Sequence, residues 1–111
     1  MKFVGVFRSR ETTIPPTPEQ IAAMGKLTDE MTRAGVLLMS GGCLPSSTGA
    51  LVRKSKGAIT VTDGPFAESK EVIGGFAVFR VSSKAEALEW TRRFLAVAGD
   101  GESEVRQLFE E

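Results

Sequence analysis

Apolar and polar residues alternate along the chain in two different periods, and the switches between them mark its elements. Lys2 to Arg8 is rich in Val and Phe and follows no helical period, which predicts a strand. Ser9 to Pro16 is polar and ends in Pro15-Pro16, a loop with an extended exit. Thr17 then has the position of an N-cap, with Pro18 at the first helical position and Gln20 placed to close a capping box. Ile21, Met24, Leu27 or Thr28, Met31 and Ala34 recur at spacings of three and four, one apolar helical stripe that Gly35 terminates.

Val36 to Ser40 predicts a buried strand, followed by a break at Gly41-Gly42 and a loop through Pro45-Ser46-Ser47. Ala50 to Arg53 and Ala58 to Thr62 flank Ser55-Lys56-Gly57, the pattern of a hairpin. Asp63-Gly64-Pro65 signals a turn, Ala67 to Val72 has room for a helical turn, and Phe76 to Val81 predicts a further strand after Gly74-Gly75. Ser83 and Glu86 form a second capping-box pair, and Ala87, Leu88, Thr91, Phe94, Leu95 and Ala98 share a helical face. Asp100-Gly101 ends that helix, and Glu104 to Phe109 alternates like a closing strand.

The resulting order is β-α-β-(β-β)-β-α-β. With the hairpin set aside as an added element, the ferredoxin-like split βαβ of the α+β class remains. Two helices cover one face of an antiparallel sheet. Phe3, Phe7, Phe76, Val78 and Val81 cannot all point to that one face, so the other face also needs cover. A face-to-face homodimer is the simplest way to supply it.

Composition narrows the function classes. A chain of 111 residues is one domain, here taken as 1–111, and 41% apolar with 25% charged residues is enough for a real core. Fourteen Lys and Arg balance fourteen Asp and Glu without a basic run, which argues against direct binding to nucleic acid or to anionic membrane. With no His and a single Cys, zinc sites of Cys and His and Ser-His-Asp or Cys-His catalysis are excluded within one chain. Acid–base chemistry would fall to Asp, Glu or Lys. One cysteine makes no intramolecular disulfide, and the apolar start is too short for a signal peptide or a span, so the expected setting is the cytoplasm. No cofactor fingerprint, P-loop or calcium-loop spacing is present, so no cofactor or metal is expected.

Candidate chemistry concentrates between Thr62 and Phe76. Asp63 before Gly-Pro can accept backbone N–H bonds as a turn residue, or serve as a pocket carboxylate acting as base or ligand acceptor. Glu68, Lys70 and Glu71 read either as a solvated charged turn or as groups gathered with Asp63 around a polar ligand. Arg53 on the preceding hairpin strand is a clamp for those carboxylates or an anchor for an anionic group. Arg106 is expected to pair with Glu104 or a loop acid, Trp90 to pack at a core margin or dimer edge, and Cys43 to be a small, partly buried thiol.

The run Val61-Thr62-Asp63-Gly64-Pro65-Phe66-Ala67-Glu68-Ser69-Lys70-Glu71 resembles the motif of the YCII-related family, in its DGPF branch. Ala34 to Leu37, Leu44 to Ser47, Glu86 to Trp90 and Glu104 to Arg106 resemble the flanking segments of the same family. The resemblance implies a ferredoxin-like fold assembled as a dimeric α+β barrel. Some members of the family pair a histidine with an aspartate in a cleft; this chain has no histidine, so that dyad cannot operate. Relatives often place an acid where this chain has Cys43. Some DGPF-branch members occur beside or fused to RNA polymerase sigma factors, which implies a regulatory role as the alternative. The leading expectation is a homodimer that binds a polar small molecule, or acts on one, at a carboxylate-lined cleft along Asp63–Glu71. The alternative is a non-catalytic interaction module.

Overall fold

The structure is a computed structural model that describes residues 1–66 and 70–110. Its elements run β1 (Lys2–Arg10), α1 (Pro18–Arg33), β2 (Leu37–Gly42), a short 3-10 turn (Ser46–Thr48), β3 (Ala50–Ser55), β4 (Ala58–Asp63), β5 (Glu71–Arg80), α2 (Lys84–Ala98) and β6 (Glu102–Gln107). Four strands form an antiparallel sheet in the order β2-β5-β1-β6, while β3 and β4 form a separate two-stranded ribbon. This is the ferredoxin-like α+β arrangement with an inserted hairpin.

Helix α1 starts where local chemistry dictates. Thr17 accepts from the Gln20 amide at 3.1 Å, and the Gln20 side chain accepts from the Thr17 amide at 2.9 Å, so two otherwise orphan donors are satisfied. After Ala34 the chain turns at Gly35 with φ of 72°, a conformation that suits glycine. Leu27 and Met31 bury the helix stripe, while Ile21, expected on it, is exposed. At α2, Ser83 accepts from the Glu86 amide, but the Glu86 carboxylate turns to the Ser82 amide at 2.9 Å, so the second box closes one residue early.

Strand alternation and register divide the sheet into two faces. Phe3, Gly5 and Phe7 of β1 stand opposite Phe79, Ala77 and Gly75 of β5 and point toward the helices. Phe3, Phe79, Leu27, Met31, Val36, Val81 and Ala87 make the core there. Between them, Val4 and Val6 pair with Val78 and Phe76 on the opposite face, where no element among the described residues covers them. Met39 joins that face beside Val78, and Ile73 beside Arg8. The open side of the sheet is therefore an apolar strip. Arg8, Glu104 and Arg106 edge it, with Glu104 bridging Arg8 and Arg106 at 3.1 Å each.

Two expectations are corrected. Glu71 and Val72 are strand rather than a helical turn, because β1 extends to Arg10 and pairs with them as Arg10↔Glu71 and Ser9↔Val72. The rest of that expected turn, residues 67–69, lies outside the described residues. Gly41 and Gly42 continue β2 rather than break it, paired with Phe76 and Gly75. Gly74 is the unmatched residue where the β1–β5 register shifts, a bulge in mid-strand.

Candidate functional site

A cavity of about 600 Å³ lies between the sheet and the two helices. Its floor is built from missing side chains: Gly5 on β1, Gly42 on β2, and Gly74 and Gly75 on β5. Two of these positions are tight and one has no room at all. A Cβ at Gly5 would sit 3.2 Å from the Phe79 ring, at Gly74 3.1 Å from the Phe7 ring, and at Gly75 2.7 Å from the Gly41 carbonyl oxygen. Gly42 differs, since its Cβ would come no closer than 4.0 Å to the Gly74 carbonyl. At that point the floor opens into free space.

Met24, Leu27 and Met31 of α1 form one part of the roof, and Trp90, Thr91 and Phe94 of α2 the other. The helices are tied together by Arg93 and Glu30 at 2.6 Å. Arg93 also lies over the Trp90 ring, 4.9 Å from its centroid, so it braces an aromatic wall of the cavity. Phe7 and Phe94 meet edge to face, with centroids 5.3 Å apart. The polar side chains at the lining are the hydroxyls of Thr12, Thr28, Ser40, Thr91 and Ser103 and the Trp90 indole; Thr91 already donates to the Ala87 carbonyl at 2.8 Å. Among the described residues, no charged side chain lines the cavity.

At the end of the sheet where β1 and β2 finish and β5 begins, Ser46 is the hub of a second cluster. It is buried, and its amide and hydroxyl both donate to the Glu11 carboxylate, the hydroxyl at 2.6 Å. Its Oγ accepts from the Phe66 amide at 3.1 Å. The Gly64 amide donates to the Gly49 carbonyl at 2.9 Å. The Asp63-Gly64-Pro65-Phe66 turn is thus fastened to the Ser46–Thr48 turn, and both to the end of β1. The Ser46 hydroxyl first, then its amide, holds the Glu11 carboxyl below its ordinary pKa. Thr12 and Pro16, one and five residues past Glu11, reach the cavity rim.

The sequence-predicted residues are distributed differently. Asp63 ends β4 opposite Ala50 and is exposed; Arg53 stands opposite Thr60. Three steps of register separate them and place them on opposite faces of the hairpin, so Arg53 does not clamp Asp63. Glu71 starts β5 beside Arg10, Lys70 precedes it, and both are exposed. None of Arg53, Asp63, Lys70 and Glu71 lines the cavity. Glu68 lies outside the described residues. Arg106 does pair with Glu104, in an exposed setting. Cys43, expected to be partly buried, is exposed. Among the described residues no group of three or more His, Cys, Asp or Glu side chains is placed to hold a metal ion, and no helix is long and apolar enough to cross a membrane.

With that geometry in view, the whole chain, residues 1–111, matches the YCII-related domain. The chain belongs to the YCII-related family. It is also similar to an uncharacterized protein of Rhizobium meliloti (strain 1021), 41% identical over 66 residues, which are 59% of this chain and 53% of that protein. The match thus spans about half the length of that relative. In this YCII-related chain Ser46 and Glu11 are the polar residues that sequence reasoning missed as a pair. Ser46 stood within the family-like Leu44–Ser47 segment, but nothing local linked it to a glutamate 35 residues earlier. The cavity was missed because its floor is made of side chains that are not there.

Proposed function

We propose that this YCII-related protein binds a small molecule in the cavity between sheet and helices, and that it works as a homodimer closed over the open face of the sheet. The cavity carries the reading. Its volume of about 600 Å³ is that of ligand sites in general, and its lining mixes apolar walls with a few hydroxyls. The dimer rests on Val4, Val6, Phe76, Val78, Met39 and Ile73, which form an apolar strip along the open side of the sheet. Fully burying an exposed large apolar side chain is worth roughly 1.5–3 kcal/mol, and these partly covered side chains would each gain a part of that. The single exposed cysteine suits a reducing compartment such as the cytoplasm.

The fastened Asp63–Phe66 turn supports the end of the sheet at which the cavity rim lies. Asp63 as a base, with Arg53, Glu68, Lys70 and Glu71 as ligand groups, is the catalytic version of the proposal, and it requires a substrate that reaches out of the cavity to that loop. A thermal-shift screen of small metabolites on the wild type, Gly42→Leu and Asp63→Asn separates the versions. Stabilisation lost in Gly42→Leu and kept in Asp63→Asn supports cavity binding alone. Loss in both brings the loop into the site, and hits indifferent to Gly42→Leu refute the cavity.

The interaction module is the second reading, and one observation favours it. Both hairpin strands are exposed throughout, with Val52, Ile59 and Val61 on one face, although a free two-stranded ribbon is marginally stable in water. A protein partner, including the sigma factor that the family resemblance implies, would cover this arm. Binding that fails on Val52→Lys with Val61→Lys, and persists on Gly42→Leu, would favour that reading.

A further inference from the structure

The lining of the cavity also limits what it can hold. We propose that its ligand is a neutral, flat and largely apolar molecule of two or three fused rings with one hydrogen-bonding substituent. This inference rests on the cavity being the binding site and specifies the occupant.

Flatness follows from the floor. Gly42 and Gly75 are direct partners across β2 and β5, and Gly75 is in turn the partner of Phe7 on β1. Bare main chain therefore spans the two adjacent strands β2 and β5, and the Phe7 ring, lying against Gly74, continues the flat surface on the β1 side. A pleated surface without side chains is a shelf on which a planar ring system makes contact over its whole area, whereas a globular ligand would touch it at a point. Trp90 and Phe94 face this shelf from α2, adding aromatic surface on the far side of the gap.

Neutrality follows from the lining chemistry. No described residue along the cavity carries a charge, and the groups able to bond a ligand are hydroxyls such as those of Ser40 and Ser103. A carboxylate or ammonium placed here would lose its hydration without an ionic partner, whereas one hydroxyl or carbonyl substituent finds a matching group. Size follows from volume: a cavity of ~150 Å³ takes a single benzene ring, and this one is several times larger, at about 600 Å³.

Three probes that differ in one property each test the assignment by calorimetric titration at neutral pH: 2-naphthol, naphthalene-2-carboxylate and 1-adamantanol. The expected result is binding of 2-naphthol, with the charged and the globular probes weaker by at least about tenfold. Gly42→Leu, which grows into the open point of the floor, and Thr28→Phe, which narrows the cavity from α1, should each abolish naphthol binding while keeping the wild-type circular dichroism. The second variant stands in if the first does not fold. Should the carboxylate or the adamantanol bind as well as naphthol and lose binding in the two variants, the cavity is the site and the proposed ligand class is wrong. Naphthol binding that survives both variants places the probe elsewhere and overturns the ligand class together with the cavity reading. No binding by any probe overturns the ligand class, and the metabolite screen then judges the cavity independently.

Discussion

The main-chain oxygen of Ser46 lies 1.8 Å from the point where Gly64 would carry a Cβ. No side chain can be accommodated there unless the Ser46–Thr48 turn moves away from the Asp63–Phe66 turn. The glycine of the DGPF sequence is therefore required by close approach between two turns, and its own φ is not in the left-handed region.

Gly64→Ala should cost roughly 1–3 kcal/mol, the usual range for overpacking, and should also weaken the Phe66 to Ser46 hydrogen bond. Urea unfolding gives the number. A change within about 0.5 kcal/mol, the scale of a neutral surface substitution, would show that the two turns are not packed as described.

Acid stability should report on three carboxylates held below their ordinary pKa. Glu11 is lowered first by the Ser46 hydroxyl, Glu30 first by its hydrogen bond from Arg93, and Glu104 first by Arg106 and then by Arg8. A carboxyl whose pKa falls on folding stabilises the native state above its unfolded pKa, and that contribution disappears as the pH drops through the folded value. The wild type should therefore lose stability as the pH falls through and below the ordinary glutamate value of 4.5. The triple variant Glu11→Gln, Glu30→Gln, Glu104→Gln should show a flatter decline over that range. Identical slopes in thermal unfolding would contradict the assignment.

The open sheet face predicts the oligomeric state. Phe76 pairs with Val6 at the middle of that face, so Phe76→Glu puts a charge in the proposed seam while the helix-side core keeps Phe3 and Phe79. Light scattering after gel filtration should give a dimer mass for the wild type at micromolar concentration and about half of it for the variant. A monomeric wild type, or a variant that remains dimeric, would remove the face-to-face arrangement.

What could be read in the sequence was local. Thr17 with Gln20, Gly35, and Gly57 at the hairpin tip act within a few residues, and the structure uses each as its residue type predicts; Lys56 beside Gly57 also takes positive φ, at 51° against 83°, because the tight turn demands it of both positions and not because lysine favours it. Tertiary pairing defeated the local reading at Glu71 and Val72, where good turn composition yielded to an extended β1. Asp63 stood out by its motif, yet register carries it and Arg53 to opposite faces of the ribbon. The Glu11–Ser46 pair and the glycine floor join residues from distant segments, and only the assembled sheet brings them together.

The space between the sheet and the helices is an apolar cavity bordered by Gly42. Xenon enters such cavities, so methyl NMR under increasing xenon pressure tests it without any assumption about the natural ligand. The shifts should be saturable, concentrate on the methyls of Met24, Leu27, Met31 and Ala77, and vanish in Gly42→Leu. Shifts that are absent, spread evenly over the protein, or unchanged in Gly42→Leu would contradict the account.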